Sequence, residues 1–392
     1  MQRRWITLVG AGIAVVAAAL GMLLVLVLLP GRGQPRPAAS TGKGRGRTQR
    51  RWITLAGAGM AVVAAGLGML LVLVLLPGRG QPRPARDSVA LVRVPVPVLQ
   101  LHAAVQLMSP FTGEPARALG RVVVVKIDNI VQARPPTGLT SADIVYLLPV
   151  EGGLSRIFAV FSTRFPAIIG PVRSAREDDL QLLRQFGRPG FAYSGAAPHL
   201  LPFIARARVV NLYDTPAYFR DGSRVAPHNL YAGARTLRAE AAGASTAHDI
   251  GFRFGPPPPG GRPAATFSVS YPAASFTFRW SPRTRCWLVE MDGTQATDAS
   301  GGDLAAATVV IQYTIVRTSR FLEYGVPPPD AESTGSGTAV VLRDGRAWPV
   351  RWSRPGPDGG TTYTLPSGAR MTFAPGQEWV VLTTTNWARA GL

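Results

Sequence analysis

The sequence predicts an α+β protein in which N-terminal transmembrane helices precede a mixed α/β domain and a smaller antiparallel β domain. Three patterns predict it: an apolar segment that occurs twice, short β-branched runs that alternate with helical segments, and a distal region of hairpin-like strands. The predicted divisions are 1–30 and 52–77 as transmembrane helices, 31–51 as a basic linker, 78–99 as a stalk, 100–253 as the mixed α/β domain and 264–392 as the antiparallel β domain.

The apolar segment is written twice with few changes. Residues Gln2–Ala38 return as Gln49–Ala85, and the uncharged runs Trp5–Leu29 and Trp52–Leu76 are each long enough to cross a bilayer core. The linker between them is strongly basic and contains no acid, so the positive-inside rule places it in the cytoplasm and the large C-terminal part outside. A single anchor with a downstream start and a cleaved signal peptide are the alternatives.

The charge of the chain is concentrated near its start. Residues 1–86 hold 12 basic residues and no acidic ones. Of the formal net charge of +20, only +8 therefore belongs to the rest of the chain. This distribution is typical of a protein next to a membrane surface and argues against a nucleic-acid partner. Cys286 is the single cysteine, and the four histidines have no metal-ligand spacing, so we expect no disulfide, metal or cofactor.

The mixed region, 100–253, begins with three strands and contains two helices. Arg121–Ile127, Ala142–Leu148 and Arg156–Phe161 are apolar runs typical of strands covered on both faces. Ser174–Phe186 and Tyr231–Ala242 are predicted helices, and Ser174 with Glu177 forms a capping-box pattern at the first of them.

The region after the proline-rich break Phe254–Pro263 is predicted to be β. Asp344-Gly345 indicates a type I′ hairpin, and Val326–Ser336 is predicted to be a loop. The tryptophans of this region are most simply core residues, with a carbohydrate-stacking face as the alternative. The predicted strands are Thr266–Tyr271, Ser275–Trp280, Cys286–Met291, Thr308–Val316, Thr338–Arg343 and Trp379–Thr384.

Polar residues gather where the predicted central strands end, and they are the candidate site. Arg173 and Arg176 flank a predicted helix start at Ser174, where free N–H groups and guanidinium donors suit a carboxylate or phosphate. The alternative is that both arginines form internal ion pairs. The candidate ligand-binding residues are Asp128, Asn129, Arg134, Asp143, Glu151, Arg156, Arg173, Ser174, Arg176, His228 and Asn229.

Acid–base chemistry is the second hypothesis for these residues. Asp128 or Glu151 with His228 would supply the acid and base of an envelope hydrolase or transferase. Asn229 has the simpler alternative of capping the helix that follows it. The sequence contains no nucleophile elbow, phosphate loop or dinucleotide motif.

Several of these segments together resemble the YerB-like lipoprotein family. They are the Lys126–Asn129 string, Ala133-Arg134-Pro135, Ala142–Tyr146, Val150–Gly153, Gly170–Arg176 and Pro227–Tyr231. The resemblance covers about 100–392 and implies an exported, membrane-attached protein with an N-terminal mixed domain and a C-terminal β domain; the role of the family is unknown. No lipid-anchor cysteine follows the apolar runs, and Gln295–Asp298 replaces the usual His-x-Asp segment.

These inferences combine into one functional expectation. We expect a membrane-attached protein of the cell envelope, with most of the chain outside the membrane, that binds an anionic envelope component or a protein partner through its arginine and carboxylate residues. A purely structural ion-pair network is the third hypothesis for the same residues.

Overall fold

The computed structural model describes residues 106–323 and 325–389. Strand accounts for 40% and helix for 11% of the structure, so the predicted α+β class is wrong and the described part of the chain is mostly β. Within that part, no helix is both long and apolar enough to span a membrane, and the runs Trp5–Leu29 and Trp52–Leu76 lie outside it.

Within residues 106–323 and 325–389, three short α-helices, three 3₁₀ turns and twenty-two strands make up the regular structure. The helices are α1 Glu177–Arg184, α2 Leu201–Arg206 and α3 Ala234–Glu240, with 3₁₀ turns at Val131–Ala133, Leu139–Ser141 and Glu151–Gly153. The strands are β1 Val123–Asp128, β2 Ile144–Pro149, β3 Ser155–Phe161, β4 Ile168–Ile169, β5 Gly190–Ala192, β6 Val210–Asn211, β7 Tyr218–Arg220, β8 Leu230–Gly233, β9 Arg262–Pro263, β10 Thr266–Tyr271, β11 Ala274–Ser281, β12 Cys286–Met291, β13 Thr294–Gln295, β14 Ala305–Ala306, β15 Thr308–Tyr313, β16 Val316–Thr318, β17 Pro329–Ala331, β18 Gly335–Arg343, β19 Arg346–Arg354, β20 Thr362–Thr364, β21 Glu378–Thr383 and β22 Ala388–Arg389.

One large sheet joins strands from both of the predicted regions. Its order is β20-β19-β18-β15-β21-β2-β3-β1-β5-β6, with β9 paired to β19. The seam between the two regions is the parallel pair β2–β21, in which Ile144 lies opposite Glu378. The sheet is mixed, because β1–β3 and β2–β3 are antiparallel whereas β1–β5 and β15–β21 are parallel.

The central strands are buried on both faces, as their uninterrupted apolar sequences predict. Every residue of β1, β2, β3 and β21 is buried. A second, antiparallel sheet built on β10–β14 and β22 packs on one face, where Phe267 and Trp287 contact the core of the main sheet. Helix α1 covers the other face with Leu182 and Leu183.

Strands that cover one face only show the expected alternation. β10 and β12 have the predicted bounds and alternate buried with half-buried or exposed residues. The β18–β19 hairpin is also confirmed, because Asp344 and Gly345 both have positive φ and Arg343 pairs with Arg346. Four of the tryptophans are buried core residues, as the simpler interpretation predicted: Trp287, Trp348, Trp352 and Trp379.

Local signals misplaced two helices and one loop. The first helix begins at Glu177, because Arg176 is its N-cap and Asp179, rather than Glu177, accepts the capping hydrogen bond at 2.7 Å. The segment Leu230–Gly233 is strand β8, since it pairs with β4 and β7, and only Ala234–Glu240 is helical. The predicted loop Val326–Ser336 contains β17, which pairs with β16.

Candidate functional site

The candidate residues converge at one end of the main sheet. Asp128 is the last residue of β1 and lies opposite Arg156 of β3 in the antiparallel register. The segment after Pro171 is held beside β1 by a hydrogen bond from Arg173 N to Lys126 O at 2.8 Å. We call the charged side chains gathered here the arginine–carboxylate cluster; it consists of Asp128, Glu151, Arg156, Arg173, Arg176, His228 and Glu323.

Glu151 ties two buried arginines together. Its Oε1 accepts hydrogen bonds from Arg156 Nη2 at 2.9 Å and Arg176 Nη2 at 2.5 Å, and its Oε2 accepts one from Arg176 Nε at 2.9 Å. Burial opposes ionisation of Glu151, but the hydrogen bond from Arg176 and the charge of Arg156 outweigh it and lower the pKa of this carboxyl to about 2. Glu151 is therefore an ionised structural anchor and unsuited to proton transfer near neutral pH.

Arg156 and Arg176 are buried and paired with carboxylates, which leaves them poorly placed to bind a ligand. The side chains of Arg156 and Arg176 are 6% and 2% exposed. Arg176 also donates to Ala175 O at 2.8 Å and lies 3.1 Å from Glu323 Oε1. Burial, followed by the nearby charge of Arg176, lowers the pKa of Arg156 to about 10. The internal ion pairs that were the alternative to ligand binding for Arg173 and Arg176 are both present, with Asp128 and Glu151 as the partners, and Arg156 is paired in the same way.

Asp128 contacts the two more accessible basic residues of the cluster, Arg173 and His228. Its buried Oδ2 lies 2.8 Å from His228 Nδ1 and 3.1 Å from Arg173 Nε, and its Oδ1 has no hydrogen-bond partner in the described residues. The side chains of Arg173 and His228 are 16% and 18% exposed. These two residues are the basic members of the cluster that combine a fixed position with contact to solvent.

Arg173 opens onto a cavity of about 440 Å³. Arg220 lines the same cavity, and its Nη1 donates to Asn229 Oδ1 at 2.7 Å. Glu323 contributes a carboxylate at the wall, beside Arg176. The rest of the lining consists of Ser174, Ser194, Gly195, Ala196, Ala197, Pro198, Pro227, Leu230 and Leu322.

Asn129 and Arg134 join the cluster to the later half of the chain. Asn129 Nδ2 donates to Ser155 Oγ at 2.9 Å, and Arg134 Nε donates to Asn129 O at 3.0 Å. Arg134 Nη1 donates to Asp292 Oδ2 at 2.6 Å, in the turn after β12. Arg134 and Asp292 also line a separate cavity of about 400 Å³. Arg134 thus connects the two halves of the chain as well as bordering the cluster.

Two candidate residues have other positions. Asp143 precedes β2, which runs in the same direction as β1, so it lies at the opposite end of the sheet from Asp128. Its Oδ2 accepts the backbone N–H groups of Ser162 and Thr163 at 2.5 and 2.9 Å, and burial raises its pKa. Asn229 does not cap α3; its Nδ2 donates to Asp221 O and Arg224 O and closes the loop between them.

The sequence alone did not identify a buried ion pair beneath the cluster. Lys126 Nζ lies 2.5 Å from Asp179 Oδ1, and both side chains are fully buried. The neighbouring Asp178 is buried with no hydrogen-bond partner in the described residues, and desolvation raises its pKa to about 8. The available signal was Lys126 itself, a lysine inside an apolar strand.

The comparisons with known proteins agree with the resemblance found in the sequence. Residues 111–247 match the N-terminal domain, and residues 267–380 the C-terminal domain, of the family described as protein of unknown function (DUF3048). The chain is 25% identical over 295 residues to "Putative lipoprotein YerB" of Bacillus subtilis strain 168, a match that covers 71% of this chain and 86% of that protein. The crystal structure of Bacillus subtilis YerB has the same fold, with a TM-score of 0.63 and 22% identity over 73% of this chain and all of that one.

Proposed function

Because this chain belongs to the DUF3048 family, whose function is unknown, we propose that it is an extracytoplasmic cell-envelope protein that binds an anionic ligand in the Arg173 cavity. The envelope location is supported by the description of its Bacillus relative as a lipoprotein. The ligand is a small envelope component that carries a carboxylate or a phosphate.

The observation that carries the proposal is the unused hydrogen-bonding capacity of Arg173. Its Nε forms a salt bridge with Asp128 Oδ2 at 3.1 Å that does not have hydrogen-bond geometry, and its two Nη groups make no hydrogen bond to any residue within 106–323 or 325–389. A guanidinium held at one side and free at the other is prepared for bidentate recognition of a carboxylate or phosphate. Arg220 adds a second guanidinium, itself positioned by Asn229.

The charge balance of the cavity limits the charge of the ligand. The lining has two arginines, Arg173 and Arg220, and one carboxylate, Glu323, which lies 3.1 Å from Arg176. The carboxylate of Asp128 offsets the charge of Arg173 from behind, so the positive charge left for a ligand is small. A ligand group of low charge matches this arrangement, whereas a polyanion would meet the carboxylate of Glu323.

Binding of two envelope-type anions to the full-length chain tests the proposal. We expect muramyl dipeptide or glycerol 3-phosphate to raise the thermal midpoint of the wild-type protein, since a ligand bound only to the folded state stabilises it. Arg173→Gln and Arg220→Gln should each weaken binding about tenfold or more, the range for a lost charge-assisted hydrogen bond. Isothermal titration calorimetry measures the change.

Arg206→Gln is the matched control, because Arg206 is an exposed arginine of α2 outside the cavity lining. It should bind both probes as the wild type does. The proposal fails if neither probe binds the wild type, which would favour a protein partner, or if a folded Arg173→Gln variant keeps full affinity.

A second candidate function rests on the contact between Asp128 and His228. The carboxylate accepts from Nδ1–H, which leaves the lone pair of the imidazole on Nε2, the arrangement of a general base in hydrolases and transferases. On this proposal the chain cleaves a bond of a cell-wall polymer or transfers a group from that polymer to an acceptor. Glu151, the other carboxylate considered, is committed to Arg156 and Arg176.

Digestion of purified cell-wall sacculi by the full-length chain tests this second candidate. We expect release of soluble amino groups or reducing sugars by the wild type and a loss of about a hundredfold or more in His228→Gln, the typical contribution of a positioned acid or base. Arg206→Gln serves again as the control. The absence of any released product from the wild type, or equal release by His228→Gln, would exclude it.

A further inference from the structure

A second basic cavity lies at the end of the main sheet opposite to the arginine–carboxylate cluster. Arg121 precedes β1 there, Ser162 and Thr163 follow β3, and Arg238 projects from α3. Its volume is about 620 Å³. We call it the arginine pocket; it is lined by Pro115, Ala116, Arg117, Ala118, Leu119, Gly120, Arg121, Ser162, Thr163, Arg238 and Thr246.

The lining contains three arginines and no acidic residue. Arg117, Arg121 and Arg238 are exposed, and no carboxylate of the described residues lies within 4.0 Å of their guanidinium groups. Glu114, the residue before Pro115, has its carboxylate 3.8 Å from Arg164. Three positive charges without counter-ions in one concavity repel one another, and a bound anion would relieve that repulsion.

The arginine pocket has a fixed floor. A Cβ atom at Gly120 would lie 1.9 Å from Ser162 O, so the two backbone segments meet too closely for a side chain there. The backbone of Arg121 pairs with that of Thr246 in an isolated β-bridge, and the guanidinium of Arg238 lies 5.4 Å from the centre of the Phe165 ring. These contacts hold the backbone of Arg121 and the guanidinium of Arg238 in place before any ligand arrives.

The side chain of Ser162 belongs to the floor of the pocket rather than to its open side. Ser162 is 4% exposed, its Oγ is buried, and its hydrogen bonding to Asp143 offsets part of the effect of burial on the pKa of that carboxyl. Oδ2 of Asp143 accepts the N–H groups of Ser162 and Thr163. The pocket therefore offers its guanidinium groups on the open side, with the carboxyl of Asp143 buried beneath the floor.

From these observations we propose that the arginine pocket is a second binding site, and that it takes a phosphate group. Phosphate has more acceptor oxygens than a carboxylate and up to two charges, so it can engage three guanidinium groups at once. The phosphate is either free or part of an anionic lipid headgroup. The inference is independent of the Arg173 cavity, because it uses none of the same residues.

Calorimetry on the full-length chain in mild detergent tests this site, with inorganic phosphate, dihexanoylphosphatidylglycerol and dihexanoylphosphatidylcholine as the probes. We expect phosphate or the phosphatidylglycerol to bind, and Arg121→Gln and Arg238→Gln each to weaken binding about tenfold. Displacement of the lipid by inorganic phosphate would identify free phosphate as sufficient; lipid binding without displacement would identify the headgroup as the source.

Arg235→Gln is the matched control, since it removes an exposed arginine from the same helix outside the pocket lining. Arg173→Gln should also leave this binding unchanged, which separates the two sites. If Arg238→Gln is unstable because its contact with Phe165 is lost, Arg117→Gln tests the pocket from the loop instead. No binding to the wild type, equal binding by all folded variants, or phosphatidylcholine binding that survives Arg121→Gln would overturn the proposal.

Discussion

Replacing Glu151 by glutamine is expected to lower the free energy of unfolding by about 3–5 kcal/mol, the range for removing one partner of a buried ion pair. The change leaves Arg156 and Arg176 without the carboxylate that receives three of their hydrogen bonds. Their side chains are 6% and 2% exposed, so water cannot replace what is lost. Urea denaturation of the full-length chain measures the effect.

Glu290→Gln provides the comparison for this variant. Glu290 pairs with Arg279 at 2.6 Å, but the side chain of Arg279 is 52% exposed and stays hydrated when its partner is neutral. A change of about 1 kcal/mol or less is expected there. Similar effects for the two substitutions would contradict the view that Glu151 holds buried charge together.

The pH dependence of stability gives an independent check on Glu151. Its pKa falls from an ordinary value of 4.5 to about 2 in the folded protein, so the stabilisation it gives is fully present above pH 4.5. That stabilisation is lost as the pH falls through about 2, because the folded state must then take up the proton that the unfolded state bound earlier. The Glu151→Gln variant should lack this part of the acid transition.

The strands of the core were predictable because their apolar runs, or the alternation of apolar and polar residues along them, indicate which faces are buried. β10 and β12 have the predicted bounds, and β1 and β2 differ from the predictions by two residues or fewer at either end. The capping-box pattern at Ser174 failed because Asp179, held by Lys126, is the carboxylate that caps Arg176. Leu230–Gly233 forms strand β8 rather than a helix because it pairs with β4 and β7. A local stretch of sequence does not reveal such pairing partners.

The sequence predicted which residues belong to the candidate site better than it predicted which of them contact one another. Strand ends placed Asp128 and Arg156 together, as expected. Asp143 was misplaced in the site because β1 and β2 are both antiparallel to β3 and therefore run in the same direction. Asp143, just before β2, thus lies at the other end of the sheet from Asp128. Arg220 and Glu323 reach the cavity from segments distant in sequence, and only the tertiary structure brings them there.

The second large effect is expected for Lys126→Met, which should also destabilise the protein by about 3–5 kcal/mol. Lys126 and Asp179 are fully buried 2.5 Å apart, and the substitution keeps the length of the side chain while removing its charge. Asp179 would then keep only the hydrogen bond from Arg176 N at 2.7 Å, in a site that already contains the buried carboxyl of Asp178. Urea denaturation at neutral pH measures the loss.

A double substitution separates the ion pair from packing. Lys126→Met with Asp179→Asn removes both charges but leaves an amide oxygen to cap Arg176, so the double variant should be more stable than the sum of the single effects predicts. Arg184→Met, which breaks the exposed pair with Asp358, should leave the stability close to that of the wild type. Additive effects in the double variant would mean that Lys126 and Asp179 stabilise the fold independently rather than as a pair. A double variant that is more stable than the sum of the single effects would show that the charge of Lys126 holds the acidic start of α1 against the sheet. The same charge would then also hold the backbone that positions Arg173.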